Sequence, residues 1–304
     1  MSSLLKINDK GDPSDVMQRF PGFNLQILCC RYWWLKNWEF SELSFPFWRI
    51  YHNPKEGAFI KSGGRTFELT PDKLFMIAPN TSYSSWLKGH EIPEKSFFME
   101  GSRVEGKQKE KELLDQGYIM HLFIHFNIGM PYDNIMPGIY SFEMTDHANE
   151  KLSIIKDQLN VDFTRFSFYS ELAIQSLISD LLSAIPETSW NIVTQNFRIT
   201  KVLKYMEENL IGNLSNNVLA NQARLATNAF NRLFTEEVGD SPQRYVKKKR
   251  IDKACVLLHH SNETIDRIAM ETGFADRYHF SRVFNEIKGF SPAKYRKGFA
   301  LKLQ

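Results

Sequence analysis

Long hydrophobic runs are missing from this 304-residue chain. None approaches the ~18 consecutive apolar residues of a membrane-spanning helix, so no membrane partner is expected. The first residues, Met1-Ser2-Ser3-Leu4-Leu5-Lys6, lack the apolar core of a signal peptide, and a cytoplasmic location is expected. Cysteine is scarce: Cys29 and Cys30 are adjacent and Cys255 is remote. Such a set builds no disulfide framework and has no zinc-ligand spacing, so each thiol is assigned to packing. At 42% hydrophobic and 24% charged residues, the composition excludes a disordered chain.

A strong charge of one sign is also absent overall, since the formal net charge is only +3. That value conceals a split. From Arg198 onward there are 19 Lys+Arg against 11 Asp+Glu, whereas the first 197 residues hold 19 against 24. A basic module joined to a slightly acidic one points to nucleic acid as a partner of the former.

The basic part contains a short helix, a glycine turn and a second helix. Thr264 can cap a helix whose apolar positions are Ile265, Ile268 and Ala269, and Gly273 can stop it in a left-handed conformation. Asp276 can cap the next helix. Helical spacing turns Phe280, Val283, Phe284 and Ile287 inward and leaves Arg277, Tyr278, Ser281 and Arg282 on the outer face. That is a helix-turn-helix, whose second helix enters a DNA major groove.

The unit occurs twice, at an offset of about fifty residues. Phe230-Asn231-Arg232-Leu233-Phe234 matches Phe280-Ser281-Arg282-Val283-Phe284. Gly239, Ser241-Pro242 and Tyr245 match Gly289, Ser291-Pro292 and Tyr295. Leu219-Ala220 pairs with Ile268-Ala269 at an offset one shorter, so the second turn is longer by one residue. Ser241-Pro242 opens a connecting helix to about His259, with Tyr245, Ile251, Ala254, Leu257 and Leu258 inward. At ~1.5 Å per residue that helix spans roughly 27 Å, close to the ~34 Å between successive major grooves on one DNA face.

With these motifs, residues 198–297 resemble the DNA-binding domain of the AraC/XylS family of bacterial transcription regulators. The resemblance implies two helix-turn-helix units on one monomer, joined by the long helix. Arg224 departs from the pattern, standing where the first turn often has glycine.

The first half has a different texture. Short aromatic and branched runs, among them Leu25–Leu28, Phe47–Tyr51, Gly57–Ile60, Thr66–Leu69, Lys73–Ile77 and Ile119–Phe126, are punctuated by Gly63-Gly64, Pro71-Asp72 and Pro79-Asn80. That spacing predicts a β-barrel. Residues 63–81 are similar to the cupin-like sensor domain of many AraC-type regulators. Lys88 to Gly117 predicts a charged, partly mobile surface excursion, and from Asp146 a helical period gives helices over about 146–162 and 166–185, the second ended by Pro186.

The expected architecture is an α+β two-domain chain. A flexible tail (1–19) precedes a cupin-like β-barrel sensor (20–145), a helical dimerisation or connector segment (146–185), a linker (186–197) and an all-α double helix-turn-helix domain (198–300). Base reading falls to Asn228, Asn231 and Arg232 in the first unit and to Arg277, Tyr278, Ser281 and Arg282 in the second, because arginine suits guanine and asparagine suits adenine. Arg232 and Arg282 have Glu236 and Glu286 four residues on as alternative partners. Phosphate contacts fall to Arg244, Lys247, Lys248, Lys249 and Arg296. Trp33, Trp48, Tyr51, Trp86, His121 and His125 are candidate liners of an effector pocket.

Metal cupins present a His-x-His pair, a Glu and a later His. The pair is absent here, and Tyr83 stands where the later His would fall. No metal or other cofactor and no catalytic residue is therefore expected. The competing reading is a metal-dependent cupin enzyme fused to a DNA-binding domain. The expected partners are double-stranded DNA, a second copy of the chain, a small-molecule effector and, for an activator, RNA polymerase. Sugars are common effectors in the family, although nothing in this chain encodes one. Effector binding is expected to act through the way helices 146–185 hold the DNA domains.

Overall fold

The computed structural model describes residues 24–90, 97–102, 107–129, 132–133, 135–190 and 196–299. The tail expected at 1–19 and the middle of the expected linker lie outside these residues.

The N-terminal part is a nine-stranded sheet in which all pairings are antiparallel. Its strands are β1 (Gln26–Leu43), β2 (Trp48–His52), β3 (Ala58–Ser62), β4 (Arg65–Glu68), β5 (Lys73–Ile77), β6 (Tyr83–Leu87), β7 (Phe97–Ser102), β8 (Ile119–Asn127) and β9 (Ile139–Glu143). They run in the order β4-β3-β6-β1-β8-β2-β5-β9, and β7 adds to β1. The long β1 is the spine: β8 pairs from Gln26 to Leu35, and β7 and β6 take over beyond.

The sheet curls around an aromatic interior. Because strand side chains alternate, one face of β8 presents His121, Phe123 and His125 inward. The other presents Leu122, Ile124 and Phe126 to a second core. That core is closed by α2 (Asp146–Val161) and α3 (Phe168–Ser183), which bring Leu152, Ile155, Ile174, Leu177 and Ile178 onto the sheet. Thr145 and Ser167 cap the two helices, accepting from the Ala148 and Ser170 amides. At their open ends Val161, Phe168, Tyr169 and Leu172 stay exposed.

The excursion expected at Lys88–Gly117 contains regular structure, namely β7 and the helix α1 (Lys107–Asp115). β7 runs close over β1. A Cβ at Gly101 would collide with the Trp33 ring and the Trp34 carbonyl, so only glycine permits that approach.

The C-terminal part is helical: α4 (Phe197–Glu208), α5 (Asn216–Ala223), α6 (Thr227–Val238), α7 (Pro242–His260), α8 (Ile265–Glu271), α9 (Arg277–Lys288) and α10 (Pro292–Phe299). α4, α5 and α6 close one core around Val202, Leu219, Phe230, Phe234 and Val246. α8, α9 and α10 close the other with the far end of α7, around Ile251, Leu258, Ile268, Phe280, Phe284 and Tyr295. This second core is continuous with the sheet interior: the Phe45 ring lies 5.7 Å from His259 and 6.4 Å from Tyr295, and the Phe47 ring lies 5.4 Å from His259.

Candidate nucleic-acid interface

Each helix-turn-helix is fixed by local chemistry. In the first, Arg224 ends α5 with φ +54°, ψ +49°, a left-handed conformation that an L-residue adopts at a cost. It takes the place glycine would occupy, and its side chain is exposed. In the second, Gly273 has φ +78°, and a Cβ there would lie 2.9 Å from both the Leu210 carbonyl oxygen and Arg250 Cζ. Asp276 caps α9 by accepting from the Tyr278 and His279 amides, both at 2.8 Å. Ala226, the N-cap position of α6, has no side chain that can cap it.

Pro242 starts α7 behind the Ser241 cap. Its buried residues are Pro242, Val246, Ile251, Ala254, Cys255 and Leu258, while Tyr245 and Leu257 are half-buried. The helix has no single apolar side because both helix-turn-helix units and the sheet cover it.

One side chain holds the two units in register. Arg250 donates from Nε to the Leu210 carbonyl (3.0 Å), from Nη2 to that of Gly212 (2.9 Å) and from Nη1 to that of Gly273 (2.8 Å). It thereby ties the loop between α4 and α5, just ahead of the first unit, to the turn of the second. Sequence reasoning missed this residue. Its signal was an arginine among the covered positions of the connecting helix, where a cation needs carbonyl partners.

The expected base-reading residues lie on the outer faces of α6 and α9. Asn228, Arg232, Arg277, Tyr278 and Arg282 are exposed, Tyr278 at 82%. Asn231 and Ser281 are half-buried at the flanks, and Asn231 Oδ1 is shielded from solvent with no hydrogen-bond partner. Arg277 lies 3.3 Å from Asp266. Among the described residues neither Arg232 nor Arg282 makes an ion pair, so the intrahelical pairs with Glu236 and Glu286 are not formed. Ile287, expected inward, is 40% exposed at the end of α9.

The expected phosphate contacts divide. Arg244, Lys247 and Lys248 are exposed on α7, with Arg244 3.5 Å from Asp240. Lys249 is a correction. It turns into a cleft of about 370 Å³ between the sheet and α7, over the Tyr245 ring at 5.7 Å and near Asp133, Glu207 and Asp252. One residue rotates a helix by about 100°, which separates it from its two neighbours. Arg296 is a second correction: it is half-buried, and its Nε and Nη2 are shielded from solvent.

Of the expected pocket residues, Trp33, Tyr51, His121 and His125 line one cavity of about 50 Å³ inside the sheet, together with Arg49, Tyr83 and His259. Trp48 and Trp86 do not reach it. Trp48 faces the other core, where its Nε1 donates to Asp133 (2.9 Å) and its ring stacks on Phe126. Trp86 stacks on Phe59. Burial pushes the imidazoles down, His121 to about 3 and His125 well below the usual range, so both are neutral. His121 Nδ1 sits 2.6 Å from Asn53 Oδ1.

Residues 219–298 match the helix-turn-helix domain family. The transcriptional activator RhaS of Escherichia fergusonii is 33% identical over 107 residues, 35% of this chain and 38% of its own length. RhaS of Klebsiella pneumoniae is 31% identical over 127 residues, 42% of this chain and 45% of its own length. The alignments therefore span less than half of these curated relatives. Apo ToxT from Vibrio cholerae shares the two-part fold, with a TM-score of 0.53 over 89% of this chain and 97% of its own, at 14% identity. The C-terminal part of this chain thus carries two helix-turn-helix units and is similar to the helix-turn-helix domain family and to the RhaS activators.

Proposed function

We propose that this chain is a sequence-specific DNA-binding transcription regulator, an activator like the RhaS proteins it resembles, with an N-terminal domain that senses a small molecule. The observation that carries this reading is the pair of outer faces on α6 and α9, held on one α7 by Arg250. Nineteen residues make α7 about 28 Å long, so the two helices suit neighbouring major grooves of one duplex.

In this reading Asn228, Asn231, Arg232, Arg277, Tyr278, Ser281 and Arg282 meet base edges, and Arg244, Lys247 and Lys248 meet phosphates. The cavity beside Tyr51 and His121 receives the effector. The exposed Phe168, Tyr169 and Leu172 form the contact with a second copy. As an activator it contacts RNA polymerase. Because the DNA domain meets the sheet through α7 and α10, the effector acts through that seam.

DNA-site selection with the full chain tests the proposal, repeated with Arg282→Ala. The expected result is one enriched site, with preference lost at one base position in the variant. Binding that never exceeds that of random sequence would sink it.

A further inference from the structure

Three metal-binding side chains from three separate elements meet at the seam between the sheet and α7. Cys29 lies on β1, His125 on β8 and His260 in the last turn of α7. One ligand atom of each lies within 4.8 Å of those of the other two. Cys29 and His125 are directly opposed in the β1–β8 ladder, so their side chains share a face of the sheet. The ladder shifts register between Ile27 and Cys29. Such an irregularity re-aims side chains: Cys29 turns toward the histidines, whereas Cys30 packs into the opposite core with Trp48 and Phe126. The His260 ring comes to 5.2 Å from that of His125. Linear spacing gave no sign of the cluster, because its members lie far apart along the chain.

The imidazoles have ligating capacity to spare. Buried polar atoms normally find a hydrogen-bond partner, yet His125 Nδ1 and His260 Nε2 are shielded from solvent and have none among the described residues. In the metal-free chain burial keeps both imidazoles neutral, the form that ligates, and pushes the Cys29 thiol up to about 12. Coordination deprotonates a thiol outright, so the Cys29 proton leaves to solvent as the sulfur–metal bond forms. An ion centred in a triangle of 4.8 Å sides lies at most about 2.8 Å from each corner, and closing to about 2.0–2.3 Å takes shifts of roughly half an ångström. Cys29 and His260 are half-buried and line an outer cavity of about 390 Å³ with Arg31 and Met99. An ion enters by exchanging ligands with these two first, and the buried His125 then closes the set from behind.

Charge and ligand type select the ion. After burial, the nearby Arg31 and Arg49 help to hold the His260 imidazole at about 4, and both are permanent cations. A divalent ion on one thiolate would add a net positive charge beside them. A monovalent ion on that thiolate adds none, and burying uncompensated charge is what costs. One thiolate with two imidazoles is also a copper ligand set. We propose that Cys29, His125 and His260 bind one monovalent copper ion, which pins the last turn of α7 to β1 and β8. The ion is distinct from the small molecule assigned above to the cavity beside Tyr51 and His121, and the site goes beyond that reading.

The test uses the full chain, reduced, stripped of metal with EDTA and kept free of oxygen. Cu(I) is titrated in competition with bicinchoninate, a coloured chelator, and Zn(II) against a zinc indicator. One Cu(I) per chain should bind, more tightly than Zn(II). Cys29→Ser and His260→Gln should each weaken it by more than about 100-fold, beyond the cost of losing an outer partner of a ligand. Cys30→Ala should leave it unchanged, since that thiol lies in the other core. Copper X-ray absorption should show one sulfur and two nitrogen neighbours. Loading should raise the melting temperature of the wild type but not of Cys29→Ser. No stoichiometric Cu(I), copper retained by Cys29→Ser, Zn(II) held as tightly, or no thermal shift would overturn the proposal. His260→Gln changes a half-buried side chain at a helix end, so it reads the site even if Cys29→Ser fails to fold. Selection of a DNA site by a chain that binds no copper would sink only this inference. Copper binding by a chain that selects no DNA site would sink the regulator reading and leave the metal site standing.

Discussion

Arg250→Ala isolates the contact that keeps the two helix-turn-helix units in register. The substitution removes three charge-assisted hydrogen bonds and leaves the carbonyls of Leu210, Gly212 and Gly273 without their donor. Bonds to a charged group contribute about 1.5–3 kcal/mol each when buried. The bond to Gly212 is exposed and the other two are partly buried, so water recovers much of the loss. A total of about 3 kcal/mol is expected. With an m-value near ~1.5 kcal/mol/M, the urea midpoint of the DNA domain should fall by roughly 2 M. The chain supplies its own pair of probes. All six tryptophans precede residue 196, so their fluorescence follows the sheet domain, while helical circular dichroism is dominated by the C-terminal part. The dichroism transition should move further than the fluorescence transition. DNA affinity at the selected site should fall by more than the loss of folded protein explains, because the two reading helices lose their common reference. Arg250→Lys should recover less than half of either effect, since a lysine offers one point of contact and not a fork. Full recovery with lysine, or an unmoved midpoint in Arg250→Ala, would refute the reasoning.

Lys247→Ala with Lys248→Ala should lower the slope of log affinity against log salt by about two, whereas Lys249→Ala should leave it unchanged; a salt titration of DNA binding separates these outcomes. Phe168→Glu should convert a dimer to a monomer in sedimentation without changing the circular dichroism spectrum, and a monomeric wild type would remove the dimer contact from the proposal. Burial holds His121 at about 3 and His260 at about 4 against 6.5 for the free ring, so below pH 6.5 the unfolded chain binds more protons than the folded one. Their contribution to stability is fully present above that pH and is lost as pH falls, toward pH 4 for His260 and toward pH 3 for His121, at up to about 1.4 kcal/mol per pH unit and group. His260→Gln should therefore flatten the decline seen in urea titrations, and an unaltered decline would count against a neutral buried His260.

The C-terminal domain was legible because its signals are local and obligatory. Gly273 and Asp276 each do something few residues can do, and the same core pattern recurs at Phe230 and Phe280. The strand Lys73–Ile77 was also read with its bounds, since turn residues flank it. β1 was not. Both of its faces are covered, so Trp33-Trp34-Leu35 shows no alternation, and its 18 residues read as fragments. β7 was missed because its place depends on a partner some sixty residues earlier, Trp34 to Phe40, and on one glycine that lets it pass Trp33. Arg49 stood in the sequence as one charge among aromatic residues. Nothing local says that it is buried against Tyr83, because that neighbour comes from β6.

The contact between the sheet and the DNA domain rests on the same kind of long-range packing. Helices 146–185 carried apolar stripes and were natural candidates for a transmitter, but α2 and α3 spend those stripes on the outer face of the sheet. The inner face is covered instead by the far end of α7, where His259 meets Phe45 and Phe47, and Tyr295 of α10 meets Phe45. α7 is thus a rigid body that touches the proposed ligand chamber with its last turn. Nine residues earlier, about 14 Å along its axis, it carries the Arg250 fork that sets the second turn against the first unit. A ligand that moves His259 or His260 must tilt α7, loosen its last turn or separate it from the sheet. The first of these changes the geometry of both reading helices together, because each is docked on the same helix. Two-state behaviour follows from close packing: Phe45 and Phe47 either seat against α7 or do not.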